Sequence, residues 1–81
     1  MDRRKIMTEI EWIDNFSKNL RYLMDRDYMT QDELAEATGI SQGTISKYLS
    51  GRLKPGIKAL INISYALNCN LNELIDFGPI E

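Results

Sequence analysis

The chain has 81 residues, 43% of them hydrophobic, with ten Lys and Arg against twelve Asp and Glu for a net charge of −2. That length supports one small domain with a modest core. A single cysteine, Cys69, excludes an internal disulfide, and the complete absence of histidine excludes His-based catalysis and the usual Cys/His zinc patterns.

The chain opens on MDRRKIMTEIEW, which turns acidic before a signal-peptide core can form. No apolar run further on approaches the roughly 20 residues of a membrane span. The expectation is a cytoplasmic protein with no membrane partner. Residues 1–7 carry Arg3, Arg4 and Lys5 without a structural signal, and read as a flexible start or as a basic arm. Thr8-Glu9-Ile10-Glu11 has the form of a capping box, with Met7 and Trp12 placed as its hydrophobic staple. A first helix then runs to about residue 26, because Ile13, Phe16, Leu20, Leu23 and Met24 recur at spacings of three and four. Trp12 belongs to the staple and the core edge.

Thr30-Gln31-Asp32-Glu33 is a second capping box, stapled by Met29 and Leu34, and predicts a helix to about residue 38. Gly39 then stands where the chain must leave that helix with positive φ, which glycine reaches at least cost. Ala35 is small where a following helix has to cross closely. Ile40 plugs the angle between the two. Ser41 caps a third helix over 42–49, with Ile45, Tyr48 and Leu49 inward, and Ser50-Gly51 stops it. Pro55 disfavours helix at Lys54. A fourth helix covers about 57–67 with Leu60, Ile63, Ser64 and Leu67 inward, and Asn68 makes the exit turn. Asn70-Leu71-Asn72-Glu73 is a capping-box variant, stapled by Cys69 and Leu74, for a short fifth helix over about 71–76 that Gly78-Pro79 ends. Cys69 reads as a small buried apolar residue. No stretch alternates at period two for long enough to make a strand. The fold class is therefore all-α: a single compact five-helix domain over 8–77, with a tail over 78–81.

The third helix leaves Gln42, Gly43, Thr44, Ser46, Lys47 and Ser50 facing outward. Gly, Thr and Ser are indifferent helix formers, and the face has no carboxylate to pair with Lys47. Short side chains with amide and cation donors suit close approach to a nucleic-acid groove. The charge distribution agrees. Between Glu36 and Glu73 there is no acid, while Lys47, Arg52, Lys54 and Lys58 supply cations, so an acidic chain can still present a positive face.

Gln31, Leu34-Ala35, Gly39-Ile40-Ser41-Gln42, Ile45-Ser46 and Ser50-Gly51 resemble the helix-turn-helix of the phage repressor and Cro-like (XRE-like) regulators. The resemblance extends from about residue 16 to 77 and includes LKPGIKALINISYALN and NLNELI. It implies a phage-repressor type of domain whose second and third helices form the helix-turn-helix. It further implies a sequence-specific regulator of transcription that binds double-stranded DNA, with helix 42–49 in the major groove, and not an enzyme. The base-facing positions are then Gln42, Gly43, Thr44, Ser46 and Lys47. Gln42 can bridge N6 and N7 of adenine, Thr44 can offer its methyl to thymine or its hydroxyl to a phosphate, and Lys47 can reach guanine or a phosphate. Gly43 has no side chain, so a base contact that other members make from there is missing. The resemblance carries to Gln31 a phosphate contact and a buttress for Gln42, and to Arg52, Lys54 and the amides opening helix 4 a second phosphate clamp; Ser50 and Lys58 join the phosphate contacts by their position on this face and in the cationic window. Many members pair an Arg late in helix 1 with a Glu late in helix 3. Met24 and Leu49 hold those positions here, so the pair is replaced by two apolar residues expected to touch.

No cofactor or metal is implied. The expected partner state for such a short domain is a homodimer on a palindromic operator, with Ile61, Tyr65, Phe77 and Ile80 as candidate contacts or as ordinary packing. Two further roles fit the same fold: the antitoxin of a toxin–antitoxin pair, which would add a toxin partner, and the controller of a restriction-modification operon. A module that binds only protein is disfavoured by Gln31, Gln42 and Lys47. Acid pairs such as Asp32-Glu33 already have a capping explanation, which leaves an enzyme without a site.

Overall fold

The structure, a computed structural model, describes residues 8–75. Five helices follow one another there: α1 (Glu9–Arg26), α2 (Gln31–Thr38), α3 (Gln42–Leu49), α4 (Ile57–Ala66) and α5 (Leu71–Ile75). Among the described residues there is no strand, so the fold is all-α as the periodicity requires. Residues 1–7 with Met7, the end of the fifth helix at residue 76, Phe77, the stop at Gly78-Pro79 and the tail with Ile80 lie outside the described residues.

Each helix begins where a local hydrogen-bonding pattern can start one. The Thr8 hydroxyl accepts from the Glu11 N–H at 3.2 Å, and Glu11 answers by accepting from the Thr8 N–H at 3.1 Å. Thr30 and Glu33 repeat the exchange at the start of α2, at 3.1 and 2.9 Å. Asn70 and Glu73 do so at α5, at 2.8 and 3.0 Å. The bonds from Thr30 hold the Glu33 carboxyl below its ordinary range, because they favour its charged form. Ser41 caps α3 by accepting from the Thr44 N–H at 3.1 Å. The start of α4 differs: Gly56 supplies no side-chain cap.

The helix ends use left-handed residues. Gly39 closes α2 at φ 75°, its N–H on the Ala35 carbonyl at 2.9 Å. The Thr38 hydroxyl fastens the same turn by donating to the Leu34 carbonyl at 2.7 Å and accepting from the Ile40 N–H at 3.2 Å. Gly51 after α3 (φ 74°) and Asn68 after α4 (φ 51°) each open a Schellman closure. Arg52 N–H reaches the Lys47 carbonyl at 3.0 Å in the first, and Cys69 N–H the Ser64 carbonyl at 3.0 Å in the second. Helix α1 ends in the same way on Tyr28 at φ 54°, with Met29 N–H on the Met24 carbonyl at 2.9 Å. A tyrosine there costs about 1–2 kcal/mol of backbone strain, and no sequence signal announced it. Helix α4 stops at Ala66, one residue before the expected end, because Leu67 is already its cap.

Phe16, Leu20, Leu34, Ile45, Ile63, Leu67 and Leu74 are fully buried and bring every helix into one core. The Phe16 and Tyr48 rings meet edge to face, with centroids 5.6 Å apart. Burial pushes the Tyr48 phenol up. Met24 and Leu49 are both buried and line the same cleft, as expected of an apolar replacement for an ion pair. Ser64, expected inward, is only half-buried and returns its hydroxyl to the Ile61 carbonyl at 2.7 Å. Ile13 is likewise half-buried.

Polar side chains of α1 complete the assembly. Buried Ser17 donates to the Leu49 carbonyl at 2.6 Å, and Arg21 Nη2 approaches that oxygen at 3.3 Å. Asn19 Nδ2 donates to the Leu74 carbonyl at 3.0 Å, and Arg26 Nη2 to the Leu67 carbonyl at 2.9 Å. The Leu49 and Leu67 carbonyls stand at the ends of α3 and α4, where no further turn of helix can satisfy them. Replacing Ser17 with Ala should therefore cost about 1 kcal/mol, or roughly 4–8 °C of melting temperature in a domain of this size. Ser46→Ala, on the exposed face of α3, serves as the control and should melt like the parent. Equal melting of both variants would show that the Ser17 bond contributes nothing to holding α3.

Candidate nucleic-acid interface

Helix α3 turns Ile45, Tyr48 and Leu49 into the core and leaves Gln42, Gly43, Ser46, Lys47 and Ser50 exposed. A helix of eight residues with Gly, Thr and Ser in it has little stability of its own. Its shape depends on the Ser41 cap, the Gly51 closure and the buried seam. Thr44 departs from the expected outward position. It is half-buried, and its hydroxyl accepts from Ser41 Oγ at 2.8 Å. That bond leaves the Thr44 proton free to donate and directs its oxygen toward the cap.

The cationic positions are not equivalent. Lys47, in the last turn of α3, and Lys58, in the first turn of α4, are exposed and form no ion pair with a described residue. Arg52 is fastened to the end of α3: its Nε donates to Ser50 Oγ at 3.0 Å, and Ser50 Oγ donates in turn to the Lys47 carbonyl at 3.0 Å. The guanidinium is thus held beside the exposed end of α3. Gln31 is half-buried at the first position of α2, in a cleft it shares with Arg21 and Thr30.

Lys54 stands differently from the sequence expectation. Its ammonium pairs with Glu9 Oε1 at 2.8 Å, with both side chains more than half exposed. The stretch from 37 to 72 is free of acids along the chain, yet the fold brings the first turn of α1 against it. An exposed pair of this kind contributes little to stability. It does put a carboxylate in competition with any anion that approaches Lys54.

Among the described residues no cluster of Asp, Glu or Cys is arranged to hold a metal ion, and no helix is long and apolar enough to cross a membrane. Sequence reasoning missed Ser17 and Arg21. Both are polar residues on α1 whose partner, the Leu49 carbonyl, lies 32 and 28 residues away, and no local pattern signals such a bond.

The helix-turn-helix family model matches residues 20–74 of the chain. The chain is 35% identical over 60 residues to an uncharacterised HTH-type transcriptional regulator, YqaE, of Bacillus subtilis (strain 168), covering 74% of this chain and 52% of that protein. It is 29% identical over 75 residues to repressor protein C of Escherichia phage P2, covering 83% of this chain and 76% of the repressor. A third match, 32% over 77 residues, is to 4% of the length of the replication factor C small subunit of Methanocaldococcus jannaschii. The chain thus spans about half the length of the Bacillus relative. No solved structure gives a significant match.

The Lys54–Glu9 pair gives a direct test of the positive face. Glu9→Gln should free Lys54 and strengthen binding to duplex DNA by roughly two- to fivefold, the scale of an exposed ion pair. Lys54→Ala should weaken it and flatten its dependence on salt. Unchanged affinity in both variants, read by fluorescence anisotropy, would place Lys54 outside the interface.

Proposed function

The chain belongs to the helix-turn-helix family, and from that premise we propose that it is a sequence-specific, double-stranded-DNA-binding regulator of transcription, a phage-type repressor or small bacterial equivalent. The observation that carries this reading is the exposed face of α3. It is free of carboxylates and closed behind by a buried seam, so it can enter a groove without distorting the core.

In this reading α3 lies in the major groove. Gln42 bridges the N6 and N7 edge of adenine, Lys47 reaches guanine or the adjoining phosphate, and Ser46 donates or accepts from a base edge. Gly43 lets the backbone come close. Thr44 offers its methyl to thymine, since its hydroxyl oxygen is engaged with Ser41. Gln31, Ser50, Arg52 and Lys58 set register on the phosphates, and Lys54 joins them when it leaves Glu9. Residues outside the bases fix position and strength; those on α3 fix sequence.

One α3 of eight residues reads only a few base pairs, so the protein works as a homodimer on a palindromic operator. Ile61 and Tyr65 on α4, at 40% and 82% exposure, are two exposed apolar groups on one helix that can serve that contact. It acts in the cytoplasm, where its DNA is.

Selection from a random duplex pool should return a palindrome with half-sites about one helical turn apart. On that site Gln42→Ala should lose about 1–3 kcal/mol of binding and relax preference at one base pair per half-site. A pool that converges on no sequence, while the parent still binds, would contradict sequence-specific reading by α3. An equal loss on every sequence would move Gln42 to the backbone.

A further inference from the structure

The reading above takes its phosphate contacts from α2, α3, α4 and the link between the last two. The cleft beside α3 adds a residue from α1. It has a volume of about 210 Å³, an apolar floor of Met24 and Leu49, and a polar rim that includes Arg21, Asp25, Thr30 and Gln31. Its lining brings together the end of α3 at Leu49, the start of α2 at Gln31 and the last turns of α1.

Arg21 is an exposed residue, and the one bond it makes to a described residue is the 3.3 Å approach of Nη2 to the Leu49 carbonyl. That oxygen already accepts from Ser17 at 2.6 Å, so the fold does not depend on Arg21 to satisfy it. A guanidinium carries several N–H donors in a rigid fork, and the others have no acceptor among the described residues. Asp25, one turn further along α1, lines the same cleft and forms no ion pair with Arg21. The Leu49 contact therefore orients the fork without using it up.

We infer that Arg21 is a DNA backbone-phosphate contact, with its guanidinium bridging the Leu49 carbonyl and a phosphate oxygen at the mouth of the cleft it shares with Gln31. The inference rests on the DNA-binding reading and extends it to α1. A planar fork can hold a carbonyl and a phosphate at once, which a point charge cannot do as well. Because the same group touches the last turn of α3, grip on the backbone and placement of the reading helix are joined in one side chain. Arg21 lies in the acid-rich first part of the chain, outside the window of cations that sequence reasoning selected.

The experiment is a salt titration of the full chain, on the selected duplex and on a random one, for the parent and for Arg21→Ala, Arg21→Gln and Arg21→Lys, with thermal melting of each. Arg21→Ala and Arg21→Gln should weaken binding several-fold on both duplexes and lower the log–log salt slope by about 0.9. Arg21→Lys should keep most of the slope. If Arg21→Ala fails to fold, Arg21→Gln carries the test, since its amide can still donate to the Leu49 carbonyl. A Gln variant that melts like the parent and keeps the parent slope would reduce Arg21 to a brace on α3 and overturn the inference. A parent chain that binds neither duplex at any salt concentration would overturn the functional reading itself, a result the two-duplex design separates from the first.

Discussion

The carbonyl ends of α3 and α4 set the terms for this fold. Both helices finish against the body of the domain, where an unpaired carbonyl would cost about 1–3 kcal/mol. One long helix supplies the missing donors. Ser17 serves α3, Arg26 serves α4 and Asn19 donates to a carbonyl of α5, while the apolar stripe of the same helix fills the core between them. Helix α1 therefore ties down the ends of α3 and α4 as well as supplying the surface they pack against. For α3 this matters most, because its own sequence is a poor helix former and Gln42, Gly43, Ser46 and Lys47 on its outer face are exposed.

That arrangement explains how a reading surface can be left so bare. Gln42, Gly43, Ser46 and Lys47 have no structural duty toward the core, since the Ser41 cap, the buried seam and the Gly51 closure carry the stability of α3. Side chains free of such duties are available to a ligand. The groups around the end of α3 are more committed. Arg52 and Ser50 are linked to each other and to the Lys47 carbonyl, and Lys54 is held by Glu9. The positive face of this acidic protein is thus graded. Lys47 and Lys58 stand free of described carboxylates, Arg52 is oriented in advance, and Lys54 must exchange one carboxylate for a phosphate.

Much of this was legible in the sequence because it is local. A capping box needs two residues three apart, and all three boxes closed as their spacing required. Gly39 takes the left-handed turn expected of it, Asn68 makes the expected exit turn, and the stripe of α1 turns inward with the exception of half-buried Ile13. The illegible part is long-range and polar. Nothing near Ser17, Asn19 or Arg26 in sequence distinguishes a serine, asparagine or arginine that reaches another helix end from one that meets water. The Glu9–Lys54 contact spans 45 residues, so a window of charge along the chain could not reveal it. Tyr28 shows the converse: the fold demands a left-handed residue after α1 and imposes that conformation on a side chain that does not prefer it. Helical spacing alone puts Thr44 outward, whereas in the fold it is half-buried and bonded to the Ser41 cap.

The central claim is that α3, braced from behind by α1, presents its outer face to DNA. The most direct measurement is a two-dimensional amide NMR titration of the chain with its selected duplex. The account predicts that the largest shift changes fall on Gln42, Gly43, Ser46 and Lys47, with a second group at Gln31 and Arg52, while the amides of α5 stay in place. Changes concentrated on α5 and the Ile61–Tyr65 side of α4, with α3 silent, would contradict it.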